Sequence, residues 1–219
     1  MANQRDIHDH WFNQAKRDGY RSRAAYKLMQ IDDRRSVLRK GDAVLDLGCM
    51  PGSWLQVAAE RVGSRGEVWG IDLKETTLHG LPATVHVLCG DAAHLIEAGL
   101  PPERRFNAIV SDMMPNTTGS RETDHFRSVG VCELTIWLAP RWLKPGGNVV
   151  MKLLEGSQMP RLLKDAKAIF TKVKPFKPEA SRSDSTEIYI VAIGFNGDAI
   201  DPRTDPAPAA GPPETPEGW

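Results

Sequence analysis

The sequence predicts a Rossmann-like α/β domain, a seven-stranded and mostly parallel sheet with helices on both faces. Three observations predict it. Short, near-continuous apolar runs alternate with stretches of helical periodicity, the pattern of strands buried on both faces. A glycine-containing loop follows the first run and opens a helix. An aspartate, Asp72, ends the second run twenty residues after Gly52 of that loop.

The elements follow in order. Residues 42–49 (DAVLDLGC), 67–73 (EVWGIDL), 84–89 (TVHVLC), 106–113 (FNAIVSDM) and 148–154 (NVVMKLL) read as five strands. Residues 173–176 and 187–195 (EIYIVAIGF) complete the set, and their closeness in sequence predicts antiparallel pairing at one edge. Helices are expected over 52–62, ending near Gly63, over 124–143 before a K-P-G-G turn, and over 159–170. A basic helical extension covers 1–40, the sheet domain 41–196, and a proline-rich acidic tail 197–219. The tail has no apolar periodicity and is expected to be disordered.

Composition bounds the class. At 219 residues with 41% hydrophobic and 26% charged content, the chain suits one ordinary α/β domain. It has no run of eighteen apolar residues, and its polar start (MANQRDIHDHWF) lacks an apolar signal core. Three scattered cysteines argue against a disulfide framework or a zinc site, and a cytoplasmic location is expected. His8 and His10 read as surface residues, and no metal is expected. Net charge is zero, but residues 1–40 hold ten Lys/Arg against five Asp/Glu, while 197–219 hold one Arg against five acids. The basic head is either a solvated helix or a phosphate-contacting surface.

The loop reads D-L-G-C-M-P-G-S-W from Asp46 to Trp54. Dinucleotides favour G-x-G-x-x-G, because a pyrophosphate must lie on the helix N-terminus. Here Met50 stands where the middle glycine would be. S-adenosylmethionine carries no phosphate but has a sulfonium and an amino-acid end, and an acid at Asp46 suits such a cation. Asp72 can hold both ribose hydroxyls of an adenosine, and Asp91 can accept from its amino group. Plain turn glycines and a strand-end acid are the alternative.

Four further ionisable residues sit where such a fold places chemistry. Asp112 ends the fourth strand, Lys152 ends or lies in the fifth, Glu187 starts the last, and Lys27 lies in the basic head. A lysine among Val149, Val150, Met151, Leu153 and Leu154 is unusual, since buried lysines need partners. Its bland reading is an edge-strand lysine facing solvent. Alone, Glu187 and Lys27 signify little. The set suits proton removal from a weakly acidic hydroxyl beside an activated methyl donor. A lysine acts as base there only if burial and a second cation lower its pKa. In an alternative division Lys152 only steers the hydroxyl. Amino-group methylation, which favours an Asp/Asn-Pro-Pro-aromatic motif, does not fit Asp112-Met113-Met114-Pro115-Asn116.

With those residues in place, the sequence resembles the FtsJ/RrmJ (RlmE) family of ribosomal RNA 2′-O-ribose methyltransferases, from about Arg5 to about Gly194. The resemblance rests on Y-R-S-R-A-A-Y-K-L, the glycine loop, S-D-M-M-P-N, L-K-P-G-G, V-V-M-K and S-R-S-D-S-T-E-I-Y-I-V. It implies a catalytic set of Lys27, Asp112, Lys152 and Glu187. It implies S-adenosyl-L-methionine contacts at Gly52, Trp54, Asp72, Asp91 and Asp112. The implied substrate is a uridine of 23S rRNA in the assembled large subunit, with no membrane partner and the chain acting as a monomer. Cys49, Met50 and Ser53 depart from the usual family loop, which implies an altered cofactor fit. Lys16, Arg17, Arg21, Arg23, Arg34 and Arg35 are the expected phosphate contacts, and Tyr20 and Tyr26 either stack on a base or pack in the core. Methylation of tRNA or an mRNA cap, a non-catalytic RNA-binding assembly factor and a small-molecule methyltransferase are the competing readings.

Overall fold

A computed structural model describes residues 4–75, 79–182, 185–200 and 212–213. Most of the tail expected to be disordered, including Trp219, lies outside the described residues.

Seven strands form one sheet. They are β1 (Ala43–Leu47), β2 (Glu67–Asp72), β3 (Val85–Cys89), β4 (Phe106–Ser111), β5 (Leu143–Leu154), β6 (Phe170–Phe176) and β7 (Glu187–Phe195). Their order is β3-β2-β1-β4-β5-β7-β6. The pairs β1–β2, β1–β4, β2–β3 and β4–β5 are parallel, while β7 runs antiparallel to both β5 and β6. The expected antiparallel pair is therefore present, with β7 inserted beside β5 and β6 outside it. The strand order switches between β1 and β4, with β2 and β3 added outward on one side and β5, β7 and β6 on the other. Ligands of such sheets sit at that switch, beyond the carboxyl ends of the strands.

Among the described residues five α-helices accompany the sheet: α1 (Gln4–Asp18), α2 (Ala25–Arg35), α3 (Ser53–Val62), α4 (Arg121–Trp142) and α5 (Met159–Ile169). Side-chain alternation divides β1 between two cores. Ala43, Leu45 and Leu47 join the cluster under α4 and α5. Val44 joins the cluster under α2 and α3, together with Ala108 and Val110 of β4. Each fully buried leucine or phenylalanine contributes about 2 kcal/mol, so both faces are needed to hold the sheet.

Boundaries differ from expectation in ways that chain chemistry explains. α4 begins at Arg121, earlier than expected, because Ser120 caps it by accepting from Thr123 N at 3.4 Å. β5 begins at Leu143, which pairs with Phe106, so the K-P-G-G stretch lies within the strand's span as an irregularity in its register. β6 starts at Phe170, where the apolar helix stripe passes directly into strand.

Candidate active site

The loop after β1 is set by two close backbone approaches. Gly48 has φ +73°, and a Cβ there would lie 2.5 Å from Met113 Cγ, so only glycine lets the loop pass the end of β4. Gly52 has φ +102°, and a Cβ there would lie 2.7 Å from an Arg21 Nη1. Asp72 holds the same loop from the next strand: its carboxylate accepts from Met50 N and from Lys74 N, each at 2.9 Å.

Between these elements lies a cavity of about 190 Å³ lined by Gly48, Met50, Asp72, Lys74, Asp112, Met113 and Met114. Asp72 and Asp112 of the expected cofactor set therefore border it. Gly52, Trp54 and Asp91 do not line it. Trp54 is 2% exposed in the core under α2, donates Nε1–H to Ala24 O at 2.8 Å and packs on Tyr189. Asp91 caps a short 3-10 turn, Ala92–His94, accepting from Ala93 N at 2.9 Å.

Asp46, near the end of β1, is fully buried, and neither carboxylate oxygen has a hydrogen-bond partner among the described residues. Burial pushes its carboxyl well above the ordinary value, and the nearby Asp112 and Asp72 add to this. An enclosed acid of this kind fits a cationic ligand, which would relieve the uncompensated charge.

The segment before α2 is bound to α3. Arg21 N donates to Gln56 Oε1 at 2.9 Å, and the Ser22 and Ser53 hydroxyls lie 2.8 Å apart. Together with Trp54 these contacts orient α2 so that Lys27 points at the sheet. Lys27 Nζ lies 2.7 Å from Glu187 Oε1 and 2.9 Å from Oε2. Ser181 Oγ donates to the same carboxylate at 2.8 Å.

Lys152 lies within β5, paired in register with Tyr189, while Leu154 pairs with Glu187. β5 is an interior strand and the Lys152 side chain is only 8% exposed, so the edge-strand reading is overturned. Its Nζ lies 2.9 Å from Asp112 Oδ1 and also donates to the Asp112 carbonyl. Asp112 itself sits one residue beyond β4. All four residues of the expected catalytic set are thus two adjacent ion pairs, Lys27–Glu187 and Lys152–Asp112.

Tyr189 joins the pairs, and sequence reasoning missed it. Its hydroxyl lies 2.6 Å from Asp112 Oδ1 and 3.3 Å from Glu187 Oε1. Tyr189 is two residues from Glu187 on one strand, so both side chains face the same way, and that spacing was the available signal. Burial pushes the Tyr189 hydroxyl well up, reinforced by Asp112 and Glu187, so it remains a protonated donor. Burial also pushes the Asp112 carboxyl up, but Lys152, then Lys27, then the bond from Tyr189 outweigh it, and Asp112 lies below the ordinary carboxylate range.

The basic head is partly diverted from the role expected of it. Arg21 donates to Pro51 O at 3.0 Å and His79 O at 2.5 Å, bracing the loop. Arg35 sits 5.6 Å over the Phe176 ring. Tyr26 is buried, donates to Asp18 Oδ2 at 2.7 Å and packs against Trp11, while Tyr20 donates to Glu60 Oε2 at 2.7 Å. Core packing is thus the reading the structure supports for Tyr26. Lys16, Arg17 and Arg34 are exposed.

A Rossmann-like sheet whose strand order switches at β1/β4, a loop closing on a buried acid and a cavity beside a lysine–aspartate pair together describe a methyltransferase fold and site. Residues 20–195 match the model of the FtsJ-like methyltransferase family, and the chain belongs to that family. It is 44% identical over 204 residues to ribosomal RNA large subunit methyltransferase E of Rhodopseudomonas palustris (strain BisA53), covering 89% of this chain and 84% of the relative. It is 42% identical to the protein of the same name from Desulfatibacillum aliphaticivorans, covering 86% and 91%. Among solved structures, a ribosomal RNA methyltransferase of Plasmodium falciparum superposes with TM-score 0.68 at 30% identity, covering 81% of this chain and all of that one.

Proposed function

We propose that this chain methylates the 2′-hydroxyl of a uridine ribose in 23S rRNA of the large ribosomal subunit, using S-adenosyl-L-methionine. The Lys152–Asp112 pair at the rim of the cavity, 2.9 Å apart and linked by Tyr189 to Lys27–Glu187, is the observation that carries this reading. The family and the names of its large-subunit relatives support the substrate.

Gly48, Asp72 and Asp112, which line the cavity, are the residues that would hold the cofactor, whose sulfonium supplies an already activated methyl group, with Asp46 buried behind them. Asp91 is the proposed partner of the adenine amino group. Gly52 and Trp54 act indirectly, by shaping the loop and securing the segment before α2. The enzyme's remaining task is to present a hydroxyl oxygen and remove its proton. Lys152, whose Nζ is fixed beside the reacting centre by Asp112, is the group that handles that proton. Asp112 orients Lys152 through both its carboxylate and its carbonyl. Glu187 holds Lys27 beside them, and Lys27 holds the substrate oxygen against the reacting centre. Lys16, Arg17 and Arg34 offer charge to RNA phosphates, which supplies affinity and salt dependence without sequence reading.

The test uses methyl-tritiated S-adenosylmethionine and large subunits that lack the modification. Wild type should place label in a ribose, and Lys152→Arg should not, because an arginine steers an oxygen but does not accept its proton. Label in a base refutes the chemistry, and near-normal activity of Lys152→Arg refutes the proton-accepting role.

A further inference from the structure

The face of the sheet opposite the ion pairs carries a second cavity, of about 310 Å³. The segment Ala93–Glu97 forms one wall and the last turns of α4 the other, with Trp137, Arg141 and Trp142 as the large side chains. Ile96 in the first wall is 38% exposed, a large apolar side chain left to solvent. The Arg141 guanidinium stacks 3.6 Å from the Trp137 ring centroid, giving a flat and positively charged edge. Trp137 Nε1 is buried and has no hydrogen-bond partner among the described residues. A buried indole N–H usually finds an acceptor.

The remaining lining residue is Pro212. It belongs to the proline-rich tail, which the catalytic reading does not use. Pro212 and Pro213 are half-buried although they belong to no helix or strand. The chain is also led to this place, since Ile200 N donates to Pro140 O at 2.8 Å at the end of α4. Eleven residues lie between Ile200 and Pro212. That length reaches up to ~40 Å when extended, ample for the one or two helix turns involved.

We propose that this groove seats the chain's own proline-rich segment around Pro212–Pro213, and that docking braces the turn at Ala92–Glu97. The chemistry is matched on two counts. Proline rings lie on aromatic walls with little loss of entropy, because the polyproline conformation is preformed. Proline has no N–H, so such a segment presents carbonyls with few competing donors, which is what a buried indole N–H requires. Covalent attachment keeps the segment at millimolar local concentration, so even a weak contact is occupied. The braced turn is the one that Asp91 caps.

Hydrogen exchange tests this on three forms of the protein: the full chain, a chain ending at Asp198, and full-length P212D/P213D. None of the changes touches the sheet. Amides of residues 93–97, 137–139, 141 and 142 should exchange about tenfold faster in both altered forms, with the strands unchanged. A synthetic peptide of residues 199–219 added to the shortened chain should restore the protection. Equal exchange in all three forms overturns the proposal. Protection that disappears on dilution, together with a dimeric mass, also overturns it, by placing the segment in a second copy.

Discussion

Two aspartates stand at the carboxyl edge of neighbouring strands, and their environments drive them in opposite directions. Asp46 on β1 is wholly enclosed, has no hydrogen-bond partner among the described residues, and is pushed toward its neutral form. Asp112, just past β4, is 21% exposed, is gripped by Lys152 and Tyr189, and is held ionised. Burial pushes both carboxyls upward, so burial does not distinguish them; the supply of cations does. The protein furnishes Asp112 with its own ammonium groups and leaves Asp46 without one. In the proposed reaction the first is a permanent part of the proton-handling group, and the second is completed only by a cationic ligand.

The largest expected effect breaks the Asp112 side of this contrast. Lys152→Ala should lower single-turnover methyl transfer by about 10³-fold, the scale of losing a positioned proton acceptor. Removing one partner of a buried ion pair also destabilises by about 3–5 kcal/mol. Transfer rates should therefore be read well below the variant's own melting temperature. A loss of only a few-fold in folded protein would strip Asp112 and Lys152 of their special status.

Much of this contrast was visible in the sequence, but not evenly. Strand alternation and the glycine loop place Asp46, Asp72 and Asp112 correctly, because each is local to its strand end. Lys152 is conspicuous as a charge in an apolar run. What local pattern does not reveal is pairing across the chain: Lys27 and Glu187 are 160 residues apart and meet only because the fold brings α2 to the start of β7. Tyr189 was hidden for a different reason, since an aromatic inside an apolar strand reads as core. Trp54 and Arg21 mislead in the opposite sense. Both have chemistry suited to a ligand, yet the fold engages them in holding the segment before α2 and the loop at Pro51.

A second, smaller effect probes Asp46. Asp46→Asn should weaken S-adenosylmethionine binding by about tenfold, measured by calorimetry, because the acid buried behind Asp72 and Asp112 can no longer ionise when a cation binds. Without ligand the same change should help the fold at neutral pH. The folded-state pKa of Asp46 is raised, so the folded protein keeps a proton that the unfolded chain loses above about pH 4. Wild-type stability therefore declines as pH rises from the ordinary aspartate value toward the raised one. Asparagine removes that decline, and the melting-temperature advantage of Asp46→Asn should be larger at pH 7.5 than at pH 4.5. Asp112 has the opposite sign: its contribution is full above the ordinary aspartate value and fades as pH falls through its lowered one. An advantage for Asp46→Asn that shrinks toward neutral pH would remove the basis for treating the two acids as different.

Tyr189→Phe is the mildest probe and the most informative about how the two ion pairs communicate. The ring and its packing on Trp54 remain, and only the hydroxyl between Asp112 and Glu187 is lost. Lys152 and Lys27 still hold the two carboxylates, so the catalytic group stays charged and assembled. Loss of the 2.6 Å bond should let the Asp112 carboxyl drift upward toward its ordinary range. Stability should fall by about 1.5–3 kcal/mol, the usual magnitude for a hydrogen bond to a charged group. That loss should diminish as pH falls through the lowered range of Asp112, where the carboxyl takes up its proton and the bond is no longer charge-assisted. Methyl transfer should drop about three- to tenfold through kcat with KM unchanged, as expected for a residue that positions the pair without touching the substrate. A rise in KM alone would instead make the hydroxyl a substrate contact and separate the two ion pairs.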